Sequence, residues 1–477
     1  MSLKKQAVSG MVWTFAEQFG TRLISFVISI ILARLLQPSD FGTIALFGIV
    51  MGVAMSMIDG GMASSLIRTK DIDDDDLSTV FIFNIIVSVL LYILIYFFAP
   101  YIADFYKIQD LKGIIRVYCT ILIINAFVTV QKMHFVKELN FKTAFKIQLP
   151  SLFVGGISGV IFAYLGFGVW SLVYSAILQS IVFMLQHWFY SSWRPKLVFN
   201  KTKFKYHFGF GYKMTLSALL SIIFNNIYTI IIGKVYSIQQ LGFYNRADSL
   251  KQLPVTNLST ALNKVTFPLF AKISHDNAKL KEVYQKLMKV VIFIIAPVLL
   301  LMVIVAQPLI SVLMTDKWLP AVPYFQILSI AGILYPIHAY NLNILQIKGR
   351  SDLFLKLEIY KKILTVVILG LSLYFGIYGL LWGQVITSCL SFFINTHYSG
   401  KILKYTALNQ TIDLLPSIIL ASLVGVCVYL IDKYLFFNLD NIYRLFGLSI
   451  IYTLLYLGLS YILKFKELSH LKQLIKK

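Results

Sequence analysis

Apolar runs of about 18 or more residues recur from one end of this 477-residue chain to the other, and that recurrence restricts the fold more than any other feature. An α-helix of that length crosses about 30 Å of hydrocarbon, where backbone N–H and C=O groups must be satisfied within the segment. Hydrophobic residues make up 58% of the chain and charged residues 13%, which leaves no room for a water-soluble domain of ordinary composition. The sequence therefore predicts an all-α polytopic membrane protein with about fourteen transmembrane helices.

The spans read 8–36, 39–60, 79–99, 113–132, 144–165 and 168–190, then 209–234, 241–270, 284–314, 319–347, 354–376 and 377–400, and last 411–432 and 442–464. They group into an N-lobe over 1–190, a basic cytoplasmic linker over 191–208, a C-lobe over 209–400, and a helix pair with a basic tail over 401–477. A net charge of +22 would suit a nucleic-acid partner if it sat in one domain, but Lys and Arg occupy short loops instead. With the amino end placed in the cytoplasm they gather in every second loop, as from Lys132 to Lys146 and from Arg194 to Lys213. That alternation predicts both termini in the cytoplasm. The stretch after Lys4 and Lys5 shows no small-residue cleavage site and reads as a retained first helix. Cys119, Cys389 and Cys427 lie far apart within apolar runs and suggest neither a disulfide nor a metal motif.

The chain also echoes itself. Residues 33–42, ARLLQPSDFG, and 233–242, GKVYSIQQLG, end the first helix of each half, with Gly42 and Gly242 offset by 200. GFGVWSLV at 166–173 and GIYGLLWG at 376–383 occupy the corresponding turn before the sixth helix. An even number of helices per half implies two parallel six-helix lobes, with a substrate path between them.

Ionisable groups inside spans are costly and usually face a cavity or a partner. On the first helix Gln18, Arg22, Ser25 and Ser29 share one stripe, so Arg22 either meets an anion or is tethered to Glu17. Ser217, Ser221, Asn225 and Thr229 form a second stripe that either lines a lumen or joins helices. The segment 241–270 carries Arg246, Asp248, Lys251, Asn257, Asn263 and Lys264 around Pro254. Arg246, Asn257 and Lys264 repeat near whole helical turns, which predicts a cationic wall for a phosphate or pyrophosphate, unless Arg246 and Lys264 snorkel to opposite interfaces. Glu17, Asp248 and His338 are candidates for ion coupling, although a lone His338 more often serves structure. The acidic run Asp73 to Asp76 reads as a solvated loop. No Walker sequence, nucleophile constellation, metal-ligand cluster or cofactor motif is present, which argues for transport and against an enzyme.

At ARLLQPSDFGTIAL (33–46), SSLIRTKDIDDDDLSTVFIFNI (64–85), GFYNRADSLKQLPVTNLSTALNKVTFPLF (242–270) and DKWLPAVPYFQILSIAGILYPIHAYNLNILQIKGRSD (316–352) the chain resembles the bacterial Wzx-type polysaccharide flippases. The likeness is to the WzxC and TuaB branch of the multidrug/oligosaccharidyl-lipid/polysaccharide (MOP) exporter superfamily. It implies a MATE-like fold in the bacterial inner membrane that flips an undecaprenyl-pyrophosphate-linked oligosaccharide for lipopolysaccharide, capsule or exopolysaccharide assembly. Membrane lipids and the polysaccharide polymerase and chain-length machinery are the implied partners. Arg22, Arg246, Lys251 and Lys264 take the pyrophosphate-facing positions by that resemblance. The rivals are a cation-coupled drug exporter, which would want a carboxylate-dominated cavity, and a membrane polymerase or ligase, which normally needs a large outer loop.

Overall fold

Apolar runs become separate helices where the sequence supplies a stop and a start. Helix α1 (Leu3–Leu35) ends just before Gln37, and Pro38 opens α2 (Pro38–Asp59), where the Asp40 carboxylate accepts the Gln37 N–H at 2.9 Å. Gly60 and Gly61 stop α2 at φ of 54° and 66°, a conformation that a Cβ disfavours. The computed structural model describes residues 3–108 and 110–469, apart from the side chains of 3–12, 14–18, 261 and 265.

The acidic run is a helix start. Asp73 accepts from the backbone N–H groups of Asp75 and Asp76 at 3.0 Å each, and the Asp76 carboxylate accepts the Asp73 N–H at 3.1 Å. Three acids in the first turn of α4 (Asp74–Tyr106) then face the positive end of the helix dipole. Asp76 is buried, so the expectation of a fully solvated loop is corrected at that residue.

Short helices α3 (Met62–Arg68), α5 (Leu111–Tyr118), α6 (Thr120–Ala126) and α7 (Thr129–Lys137) flank α4, followed by α8 (Phe141–Tyr164), α9 (Val169–Tyr190), α10 (Lys201–Asn225) and α11 (Ile227–Val235). The span expected over 113–132 is bent by 43° between α6 and α7, and the one over 209–234 by 47° between α10 and α11. At the second bend the Asn226 side chain donates to the Ile222 carbonyl at 2.8 Å, which also accepts the Asn226 N–H at 3.1 Å.

The chain divides into two compact units, Met1–Gly242 and Phe243–Lys477, with the boundary inside α12 (Ile238–Lys272). The first unit holds a core of Phe47, Ile58, Ile95, Leu111, Ile115 and Leu122. The segment expected as a linker is stitched to α4: Lys196 N–H donates to Ser78 Oγ and Asn200 N–H to Thr79 Oγ1, both at 3.0 Å. The 200-residue echo becomes a reciprocal contact there. A Cβ on Gly42 would lie 2.0 Å from the Ile238 carbonyl oxygen, and one on Gly242 would lie 1.8 Å from that of Pro38. Glycine is required at both places.

The second unit continues α12 with α13 (Asn277–Ile304), α14 (Ala306–Met314), α15 (Val322–Gly332), α16 (Tyr335–Ile347), α17 (Ser351–Ser372), α18 (Gly376–Leu403), α19 (Ala407–Ile431) and α20 (Asn441–Ile462). Tyr284, Ile292, Ala296, Ile337, Tyr340 and Phe392 are in its core. Its last two helices are held by a buried bidentate pair, Arg444 Nε to Asp432 Oδ1 at 2.9 Å and Nη2 to Oδ2 at 2.8 Å. Among the described residues nine helical segments are long and apolar enough to cross a membrane, or eleven when each bent pair counts as one span. The fold is that of an all-α polytopic membrane protein.

Candidate functional site

The polar side chains that the sequence concentrates in α12 meet different surroundings. Arg246 is 8% exposed, and its guanidinium lies 5.7 Å from the centre of the Trp318 ring, itself fully buried. One turn on, Lys251 pairs with Asp248 at 2.5 Å, and Gln252 Nε2 also donates to Asp248. Asn257 and Lys264 are exposed. Of the three residues expected to form a wall, Arg246 is buried against an aromatic ring, and Asn257 and Lys264 are exposed. Asn263 is engaged instead by Asn343, whose amide donates to it at 3.1 Å.

His338 sits in a polar chain between α15, α16 and α18. Asn395 Nδ2 donates to His338 Nδ1 at 3.3 Å, His338 Nε2 lies 3.3 Å from Ser388 Oγ, and Ser388 Oγ donates to the Ala331 carbonyl at 3.0 Å. These directions suit the neutral imidazole with its proton on Nε2. The same neighbourhood holds Asn341, which donates to Gln410 Oε1 at 3.3 Å and accepts from Ser399 Oγ.

In the first unit Arg22 is exposed on α1, and Ser217, Ser221 and Asn225 are exposed along α10 while Thr229, past the bend, is buried. Gln18 and Glu17, named above with Arg22, lie outside the described side chains.

A cluster that sequence reasoning missed ties α3, α4 and α10 together. Ser65 Oγ lies 2.8 Å from His207 Nδ1, and His207 Nε2 lies 3.1 Å from Asp76 Oδ1. Lys203 Nζ reaches Asp73 and also Asp76 Oδ2, the latter at 3.1 Å. The order serine, histidine, aspartate is that of a hydrolytic triad, but Ser65 and His207 are both 0% exposed. No substrate reaches that hydroxyl, and the arrangement is a fastener. Beside it the carbonyls of Leu66 on α3 and of Thr69 just past its end accept from Lys137 Nζ at 3.3 and 2.6 Å, and a Cβ on Gly61 would lie 2.3 Å from the Gly211 carbonyl oxygen. Outside the core the exposed Asp73 carboxyl is held down to about 2, first by its bond to Lys203 and then by the Asp76 N–H. The only sequence signal for this cluster was the acidic run, whose partners lie more than 120 residues away.

Residues 31–323, more than half of the chain, match the family model described as polysaccharide biosynthesis protein. The chain belongs to that family. It is 27% identical over 442 residues to the teichuronic acid biosynthesis protein TuaB of Bacillus subtilis (strain 168), covering 90% of this chain and 89% of TuaB. In fold it is similar to the lipid II flippase MurJ in an inward closed conformation, with a TM-score of 0.70, 15% identity, and 95% of this chain and 98% of that one covered. It is also similar to an inward-facing multidrug resistance MATE family transporter of the MOP superfamily, with a TM-score of 0.60, 18% identity, and 80% and 96% covered. This family member therefore has a MATE-like fold, and no group of three or more metal-ligating side chains occurs among its described residues.

Proposed function

We propose that this polysaccharide biosynthesis protein is a flippase that carries an undecaprenyl-pyrophosphate-linked oligosaccharide repeat unit from the cytoplasmic to the outer leaflet of the bacterial inner membrane by alternating access. It serves lipopolysaccharide, capsule or exopolysaccharide assembly, and it hands its cargo to a polymerase and chain-length machinery. The observation that carries this reading is charge. Helix α12 holds Arg246, Lys251, Lys264 and Lys272 against one acid, Asp248, which Lys251 already matches. The other described acids that would suit a cation exporter are also engaged: Glu358 pairs with Lys361, and Asp59 accepts from the Ala63 N–H at 3.2 Å. Excess fixed cations in a membrane helix suit an anionic head group; the exposed Arg22 and Lys264, together with Arg246 once its packing on Trp318 opens, are its proposed contacts.

The finer topology belongs to the same proposal. The segment Ser351–Leu403 spans 53 residues, about 80 Å of helix, and contains a one-turn break with Gly376 at φ of 70°, so it accommodates two crossings. Dividing it and adding α1 and the polar α12 takes eleven spans to fourteen, with both termini in the cytoplasm as the loop charges suggest.

The test is translocation of the lipid-linked glycan by Arg246→Ala and Arg22→Ala, with folded protein quantified in parallel. Lower flux at undiminished folded protein is the expected result. Unchanged flux in both variants removes the assigned anion contacts.

A further inference from the structure

A cavity of about 460 Å³ opens within the first unit, between α2, α6, α7, α8 and α9. The size falls in the range of small-ligand sites. Its polar lining includes Asn125, Lys132, Gln148, Gln179 and Ser180, with the Phe183 ring as an apolar face. Lys132 is exposed and the other four are partly buried, and no side chain of the five makes a hydrogen bond among the described residues, which leaves their polar groups available to a ligand. The placement is enforced. A Cβ on Gly155 would lie 2.7 Å from Gln179 Cβ and 2.9 Å from its Oε1, so this glycine lets α8 lie close enough for the Gln179 amide to be held at the cavity.

The chemistry of the lining selects a ligand. Three carboxamides offer paired donors and acceptors, the pattern that adjacent hydroxyl groups match, and Phe183 suits the C–H face of a pyranose ring. Lys132 is the one cation of the lining and no carboxylate opposes it there among the described residues. One ammonium matches one negative charge, whereas a pyrophosphate would call for several cationic donors. We propose that this cavity binds a sugar ring bearing a single anionic group, an acidic residue of the carried glycan. The proposal rests on the transport reading above and adds a glycan subsite separate from the head-group contacts.

The test is calorimetric titration of the full chain, in lipid nanodiscs, with glucuronate, glucose and inorganic pyrophosphate, repeated on Lys132→Gln and Gln179→Leu. Glucuronate is expected to bind more tightly than glucose. Lys132→Gln is expected to weaken glucuronate roughly tenfold or more and to leave glucose unchanged, while Gln179→Leu weakens both. A melting curve of each variant shows whether it is folded. No binding of glucuronate to the wild type, equal affinity in Lys132→Gln, or pyrophosphate binding that Lys132→Gln abolishes would each overturn the proposal. Lipid-linked glycan flux measured alongside separates the two readings: flux without sugar binding sinks the subsite alone, and sugar binding without flux supports the subsite and sinks the transporter.

Discussion

Replacing Asp76 by Ala removes three interactions at once from the fastener between α4 and α10. The Asp73 N–H loses its acceptor at 3.1 Å, His207 Nε2 loses its partner at 3.1 Å, and Lys203 loses one of its two carboxylates. Loss of the reciprocal cap costs about 1 kcal/mol. His207 is 0% exposed, so its abandoned N–H carries a desolvation penalty of about 1–3 kcal/mol. The Lys203 side chain is 24% exposed and keeps Asp73, so its share is small beside these. The sum is about 2–4 kcal/mol, or roughly 5–15 °C in the melting temperature of a unit of this size. Asp76→Asn retains an acceptor for His207 and should fall between wild type and Asp76→Ala. Intrinsic-fluorescence melting of the purified protein in detergent measures all three. Equal melting of Asp76→Ala and wild type, or an Asn variant as unstable as the Ala variant, would refute the account.

Gly242→Ala places a methyl group against the Pro38 carbonyl and should lower the yield of folded protein in size-exclusion chromatography, whereas Gly48→Ala, with nothing within 4 Å, should not. Asp432→Ala strands the buried Arg444 charge and should cost about 3–5 kcal/mol, while the double change Asp432→Leu with Arg444→Leu should cost less; denaturant titration of the pair and singles tests the coupling. Because folding depresses the Asp73 carboxyl to about 2 from an ordinary 3.8, its stabilisation is complete above the unfolded value and disappears as pH falls through about 2. The melting difference between wild type and Asp73→Asn should therefore be flat near neutrality and shrink on acidification from about pH 5; a difference that grows on acidification contradicts the sign.

Helix existence was legible because a long apolar run in hydrocarbon has almost no other way to satisfy its backbone, and the expected spans coincide with helices throughout the described chain. Continuity was not legible. Asn226, which bonds the Ile222 carbonyl at the bend between α10 and α11, carries no mark in sequence that sets it apart from its neighbour Asn225. Arg246 and Lys264 illustrate the same limit for the site. Both are cations on one helix, yet Trp318, 72 residues beyond Arg246, covers one and leaves the other exposed.

Membrane-spanning helical character, loop charge and the Gly42 and Gly242 echo are read from sequence, where hydropathy, charge bias and backbone freedom act locally. Tertiary structure alone decided that those two glycines touch, that Asp76 is buried under His207, and that Lys132 and Gln179 converge on one cavity. Each of those outcomes depends on which helices pack together, and a polar side chain on a helix carries no local mark of the neighbour it will meet.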